Sequence, residues 1–496
     1  MAVPAISAPT YTAQVYNAAT IAWETIPGAA IKNIRGATQT SGNDANGLAF
    51  GLASSPSLSF EVATSDLVGM SFNWSANWYR AKVRVLFGYV GAAQTKCFEG
   101  LLVSRTRGFP ITSFELRGYD LFLEELKLHT SASYRRPIAT KTTATSIENP
   151  LYPGYGAGSI NYAFWMAGGR PYAQATSYPS AAFYYDCDFG AFAPEFSWFS
   201  GESALEECLR LVQSAGGQIY QGSDGILRYV NPLALAVAGG ETFTYTKAHY
   251  QPWPTEKART GEQVGTITCD YTSRYVAAMQ EVHQDTTFRV IAAGAYEDVT
   301  FDIEVPVWSY IFTGGSWRTQ DIVARYFDGR AASPSVMVLE AYAQRVTLRI
   351  TNTSDLPIGV SLVTIMGQPL AAGGSGSVSF GSGAPERKLP DLVQVQSKEH
   401  AEQLVHMVHD FYSPLLPIIT LETYFDGNRY VGEHVLLAYT ELGFSAAPCR
   451  IVAIRHDRTG TRASVDLVVT TGMPALSELF LVGTINYTEQ SKKLGY

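Results

Sequence analysis

The sequence predicts a mainly β, multidomain α+β fold, and three observations lead there. Apolar residues alternate with period two over many short runs, the pattern of half-buried strands. Glycine (44) and proline (24) are plentiful while charged residues make up only 16%, which suits a packed, turn-rich protein. Helical periodicity is confined to a few short stretches. At 496 residues the chain exceeds one ordinary domain, and length suggests about three or four.

The elements follow in order. "SLSFEV" (57–62) alternates cleanly. "RAKVRVLFGY" (80–89) places Ala81, Val83, Val85, Phe87 and Tyr89 on one face and Arg80, Lys82 and Arg84 on the other. Residues 101–119 read as strand, Gly-Phe-Pro turn, strand, so 1–130 is expected to form an antiparallel β domain, a small barrel or sandwich. Residues 149–199 carry fifteen Phe, Tyr or Trp among 51 positions, with one short helix in "INYAFWMAGGRP" stopped by Gly168-Gly169 and Pro171.

The stretch "ESALEECLRLVQSAGGQIYQGSDGILRYVNP" (202–232) reads as a capped helix, a glycine stop and a hairpin. Ser203 with Glu206 makes a capping box. Leu205, Cys208, Leu209 and Val212 form an apolar stripe. Glu206 and Glu207 suit the first turn, where the macrodipole favours acids. Gly216-Gly217 ends the helix and Asp224-Gly225 turns the hairpin. Residues 243–292 are strand-like and 296–385 read as a further β module. Its "AAGGSGSVSFGSGAP" (371–385) is either flexible or a Gly-rich edge hairpin. "SKEHAEQLVHMVHDFYSPLLP" (397–417) is a second clear helix, with Ser397 as cap, Ala401, Leu404, Val405 and Val408 on one face and Pro414 at its end. Four strands follow, and the tail after 475 has no strong period.

Composition excludes several functions. A net charge of −8 argues against a general nucleic-acid surface, which needs clustered cations, and against binding to an anionic membrane. The five cysteines (Cys97, Cys187, Cys208, Cys269, Cys449) have long spacings and no CxxC, so zinc ribbons and redox pairs are not expected, and buried apolar roles are. The first residues lack the basic and apolar parts of a signal peptide. The uncharged runs 149–169 and 356–385 are interrupted by Gly, Pro and Ser or Asn, unlike membrane spans.

No nucleotide-binding, serine-hydrolase or zinc-protease motif occurs, and "GYGAGS" (154–159) lacks the spacing of a phosphate loop. His406 and His409 lie at i and i+3 on the helix that also holds His400, without a third metal ligand; rim or solvent positions are expected. Asp186, Asp188 and Glu195 sit among aromatics, where paired carboxylates could hydrolyse a glycoside; solvated strand acids are the plainer reading. The expectation is a non-enzyme with no catalytic, cofactor-binding or metal-binding residues and no cofactor.

Three segments, taken together, resemble bacteriophage tail hub proteins (the baseplate and tail-tip hub family): the helix–hairpin unit at 202–232; "AQRVTLRITNTSDLPIGVSLVTIMGQPL" (343–370), similar to their paired strands; and 393–439, a helix followed by a strand and a turn, here Gly432-Glu433-His434-Val435 with Glu where Asp is usual. They cover about a fifth of the chain in the family's order. The resemblance implies two tail-tube-like β-barrels per chain, at 1–130 and at 246–295 with 388–475. It also implies an aromatic-rich small α+β domain at 131–245, an inserted β-sandwich module at 296–387 and a C-terminal tail at 476–496.

It further implies a homotrimer at the virion's tail tip or baseplate, made in the host cytoplasm. Its six barrels would form a pseudo-hexameric ring between the six-fold tail tube and a three-fold spike or fibre. The partners implied are tail-tube and distal tail proteins, the tape-measure protein and tip proteins, with DNA only in transit during genome ejection and no membrane. An acidic or neutral lumen is expected, because it would keep phosphates from sticking. Segment 149–199 is either an interface or internal packing. The alternative is a carbohydrate-recognising tail protein using aromatic platforms at 149–199 and 308–317, or a cell-wall glycosidase.

Overall fold

The computed structural model describes residues 9–35, 51–52, 56–90, 93–136, 138–139, 158–177, 181–188, 190, 192–222, 224–230, 243–250, 254–258, 264–310, 322–412, 417–424, 429, 433–440, 443–456 and 462–469. The tail 476–496 and Pro414 lie outside these residues.

The first region holds β1 (Pro9–Asn17), β2 (Ala22–Thr25), β3 (Ala30–Arg35), β4 (Gly51–Leu52), β5 (Ser57–Ala63), β6 (Lys82–Tyr89), β7 (Thr95–Arg107) and β8 (Ile111–Arg117), with short helices α1 (Thr64–Val68) and α2 (Leu121–Glu125). The middle region holds β9 (Lys127–His129), β10 (Ser133–Tyr134), α3 (Ser159–Met166), β11 (Gly169–Pro171), β12 (Phe183–Cys187), β13 (Phe196–Ser197), β14 (Ser200–Ser203), α4 (Ala204–Ala215), β15 (Gln218–Gln221) and β16 (Ile226–Val230). After β17 (Thr244–Tyr245) and β18 (Thr255–Ala258) come β19 (Thr266–Val276), β20 (Gln280–Asp285), β21 (Arg289–Ile291), β22 (Tyr296–Asp302), β23 (Val307–Tyr310), β24 (Ile322–Tyr326), β25 (Ala331–Ala332), β26 (Ser335–Tyr342), β27 (Arg345–Thr351), β28 (Ile358–Gly381) and β29 (Glu386–Lys388). The chain closes with α5 (Lys398–Tyr412), β30 (Pro417–Tyr424), β31 (His434–Tyr439), β32 (Phe444–His456) and β33 (Arg462–Val469).

The fold is mainly β and multidomain, as the sequence predicts. Alternation is kept where it was read: Ala81, Val83, Val85 and Phe87 are buried, and β5 alternates buried with half-buried positions along its length. The strands of the two expected barrels form a single open sheet of thirteen strands rather than closed barrels. Its order is β18-β30-β33-β32-β3-β5-β8-β7-β6-β1-β2, with β31 on β32 and β17 on β31. Their inner faces share one core, from Val15, Phe60, Val83 and Phe114 to Leu421, Val435, Ile451 and Leu467.

The middle region is a five-stranded sheet, β11-β12-β16-β15-β4, packed with α3 and α4. The capping box on α4 forms as read, with the Glu206 amide donating to Ser203 Oγ and the Ser203 amide donating to Glu206 Oε2. Gly216 ends the helix at φ 70°, a left-handed conformation that glycine takes without strain. Leu205, Cys208 and Val212 are buried together with Leu211 and Ala215, while Leu209 is only half-buried at the edge of this core. Helix α5 buries Ala401, Leu404, Val405 and Val408 against the same core, and its start is capped by Ser397 Oγ.

Two sequence expectations change. Strands β19–β21, placed at sequence level with the second tube-like unit, pair with β28 in an eight-stranded sheet instead. The Gly-rich stretch is neither loose nor a hairpin through residue 381. It is the second half of β28, a strand of 24 residues, and that half pairs with β19. Glycine and serine suit this run because Tyr271 and Ser273 crowd the places where side chains at Gly376 and Gly373 would point.

Candidate functional site

Asp186 is exposed between the buried Tyr185 and Cys187 on β12, in register with Arg228. Asp188 is half-buried and Glu195 lends only its backbone carbonyl, to the Arg135 amide. No group of three His, Cys, Asp or Glu able to hold a metal occurs among the described residues. His400 departs from the expected rim position: it is buried, stacks on Phe192 with ring centroids 4.5 Å apart, and its Nε2 lies 2.9 Å from the Ser214 carbonyl. Burial lowers its pKa to about 4, so the ring is neutral and Nε2 donates. His406 and His409 both lie against Phe380.

All five cysteines are buried and none forms a disulfide. Burial raises the thiols of Cys97, Cys208, Cys269 and Cys449, the last two to about 12, so they stay protonated and non-nucleophilic. Glu207 lies in the first turn of α4, as its position suggested, but it is not at the surface. It is 3% exposed, accepts hydrogen bonds from the amide and hydroxyl of Ser200, and burial raises its pKa. Its role is to hold the chain entering α4.

The aromatics of 149–199 divide unevenly. Phe164, Phe183, Tyr185, Phe192, Phe196, Trp198 and Phe199 are buried. Tyr119, Phe122 and Phe183 stack on one another at 5.8–6.3 Å. Trp308 packs edge-on against Phe196. Tyr172 and Met166 remain exposed. Residues 149–157 and 311–317 of the suggested sugar platforms lie outside the described residues. Internal packing therefore accounts for most of the described rings.

The most informative geometry lies in the thirteen-stranded sheet. The path β3-β5-β8-β7-β6-β1 and the path β18-β30-β33-β32-β31-β17 run through six strands each in the same chain order. Register agrees as well. Val83 faces Gly100 as Val435 faces Cys449, and Phe60 faces Phe114 as Leu421 faces Val465. The bulge at Leu102/Ser104 recurs at Ile451/Ala453. The Leu102 amide donates to the Ala81 carbonyl as the Ile451 amide donates to that of Glu433.

Core positions coincide: Leu58, Phe60, Val83, Val85, Phe114 and Leu116 in one unit, and Ile419, Leu421, Val435, Leu437, Val465 and Leu467 in the other, are all buried. The outermost strand differs, since β1 runs antiparallel to β6 but β17 parallel to β31. The units meet where the C-terminal end of β32 reaches β3, with Arg455 facing Arg35.

The resemblance implied two tube-like units, but the residue pattern alone did not show the repeat, because matched positions hold different residues. Gly100 answers to Cys449, and Leu101 to the buried Arg450, whose guanidinium donates to Gln218. The signal available was spacing alone: two sets of alternating runs ending in a strand–turn–strand pair.

No family model matches the chain, and no curated protein matches it. Several solved structures align over nearly all of it at low similarity. The 43 kDa tail protein of prophage MuSo2 from Shewanella oneidensis aligns with a TM-score of 0.44 and 8% identity, covering 93% of this chain and 99% of that one. A tail protein from Neisseria meningitidis MC58 gives 0.42 and 9%, covering 93% and 97%. Prophage tail protein gp18 from Listeria monocytogenes EGD-e gives 0.40 and 8%, covering 94% and 97%.

Proposed function

We propose that the chain is a structural protein of a phage tail: a hub at the tail tip or baseplate. In this reading three copies form a ring that joins the six-fold tube to a three-fold tip and surrounds the channel for tape-measure protein and DNA. The observation that carries the reading is the internal repeat. One chain holds two six-strand units of equal strand order, with matching register in all but the outermost strand, side by side in one sheet, so three chains supply six such units. The three segments at 202–232, 343–370 and 393–439 support it independently.

The described chemistry agrees with a non-enzymatic role. The thiols of Cys97, Cys208, Cys269 and Cys449 are buried and protonated, His400 is a packed neutral ring, and Asp186 is exposed on its strand. Tube and distal tail proteins would meet one side of the ring, and a spike or fibre the other. The expected limits of the two tube-like units, the inserted module and the tail belong to this proposal, as does a lumen of acidic or neutral character.

The test is location and mass together. Labelled antibody against the chain should mark the distal end of tails in negative stain, and light scattering of purified protein, alone or with tube protein, should give three chains. Label along the whole tube or on the capsid, with a monomer under every condition, would end the reading.

A further inference from the structure

The internal junction is incomplete at both of its repeats' outer ends. Within the chain, the end of β32 has β33 on one side and β3 on the other. The matching end of β7, residues 104–107, has β8 on one side and no strand on the other among the described residues. The match to β3 is β18, which pairs with β30 on one side and with no strand on the other among the described residues. Thus each half of the contact that joins the two units recurs once more with its partner position open. An open strand edge is a template for another strand, and such edges in native proteins are commonly covered.

We infer that β18 of one copy of this chain pairs antiparallel with the end of β7 of a second copy, repeating between subunits the junction that β3 and β32 make within one. The register follows from the repeat. Arg35 and Ile34 correspond to Lys257 and Glu256, because they face Ser57 and Leu58 as the latter face Ile418 and Ile419. Arg455 and His456 correspond to Thr106 and Arg107, because they face Ser464 and Ala463 as the latter face Ser113 and Thr112. Arg35 faces Arg455, so Lys257 faces Thr106, and one step along the antiparallel pair Glu256 faces Arg107.

Glu256, Thr106 and Arg107 are all exposed in the single chain. The acid on one edge and the cation on the other form a complementary cross-strand pair, and reversing either one would place like charges opposite. The contact is head-to-tail, so it propagates until a ring closes. This rests on the ring reading above and assigns its interface to named edges.

The test uses the full chain carrying Thr106→Cys and Lys257→Cys. Residues directly opposite across an antiparallel pair lie close enough for a disulfide, and the five native thiols are buried. Oxidation of the double variant should give covalent dimers and trimers. Oxidation of the two single variants mixed should give dimers only, and neither single variant alone should link. In the oligomer, amide exchange of 255–258 and 104–107 should slow. Arg107→Glu and Glu256→Arg should each raise the concentration at half-assembly roughly two- to fivefold, and the combined reversal should restore it.

A light-scattering trimer with no cross-link and fast exchange at both segments overturns this junction and leaves the ring. Linkage of a single variant to itself also overturns it. Absence of any oligomer overturns the junction and the ring reading together.

Discussion

Glu207 is closed to solvent yet accepts only the amide and hydroxyl of Ser200, with Arg210 at 3.7 Å. Burial raises its pKa from the ordinary 4.5, so the folded protein holds that proton more tightly than the unfolded chain. Its contribution to stability is full below pH 4.5 and is lost as pH rises through the raised value. Glu207→Gln keeps an acceptor for Ser200 and removes the charge. Thermal melts of this variant across acidic to neutral pH should lose that downward slope, and a slope equal to the parent's would contradict the assignment.

His400 has the opposite sign. Its pKa is lowered from 6.5 to about 4, so its contribution is full above pH 6.5 and is lost as pH falls to about 4, on the order of 3 kcal/mol in all. His400→Ala removes a stacked ring and strands the Ser214 carbonyl, and denaturant titration at neutral pH should show a loss of about 2–4 kcal/mol.

Helix α4 and its hairpin were the element most legible in the sequence, because capping, helix stop and turn are local chemistry. Ser203→Ala should cost about 1 kcal/mol by equilibrium unfolding. Gly216→Ala should cost more, about 1–3 kcal/mol, since a Cβ at φ 70° is strained and would also collide with Met407 on α5. Equal stability of the alanine variant would mean that α5 is not seated on the end of α4. That α5 contact was not legible, because it joins residues nearly two hundred positions apart.

The same limit hid the burial of Glu207, whose first-turn position already had a local explanation, and the strand character of 371–381. A glycine-rich run has weak intrinsic preference for strand, and it is held here by ladder pairing to Thr266–Val276. Alternation shows which residues face inward, but not which strand lies beside which, so the two tube-like units were expected as closed barrels and are found joined in one sheet.

At the scale of the whole molecule, the sheet joins two units of equal strand order, and among the described residues no strand covers the outer side of β18 or the end of β7, where a further unit would join. The candidate site was legible in the sequence only as a resemblance, carried by residues 202–232, 343–370 and 393–439. Its geometry was not, because equivalence between Arg35 and Lys257 or Arg455 and Thr106 exists in strand register and not in residue identity.

The most direct measurement is electron cryomicroscopy of the full chain assembled at high concentration or on tube protein, with end-on views classified without imposed symmetry. The account predicts six similar lobes around a central opening, related by three-fold symmetry, with a 54.0 kDa chain supplying each adjacent pair. Single chains only, a two-fold dimer, or an open filament would contradict it.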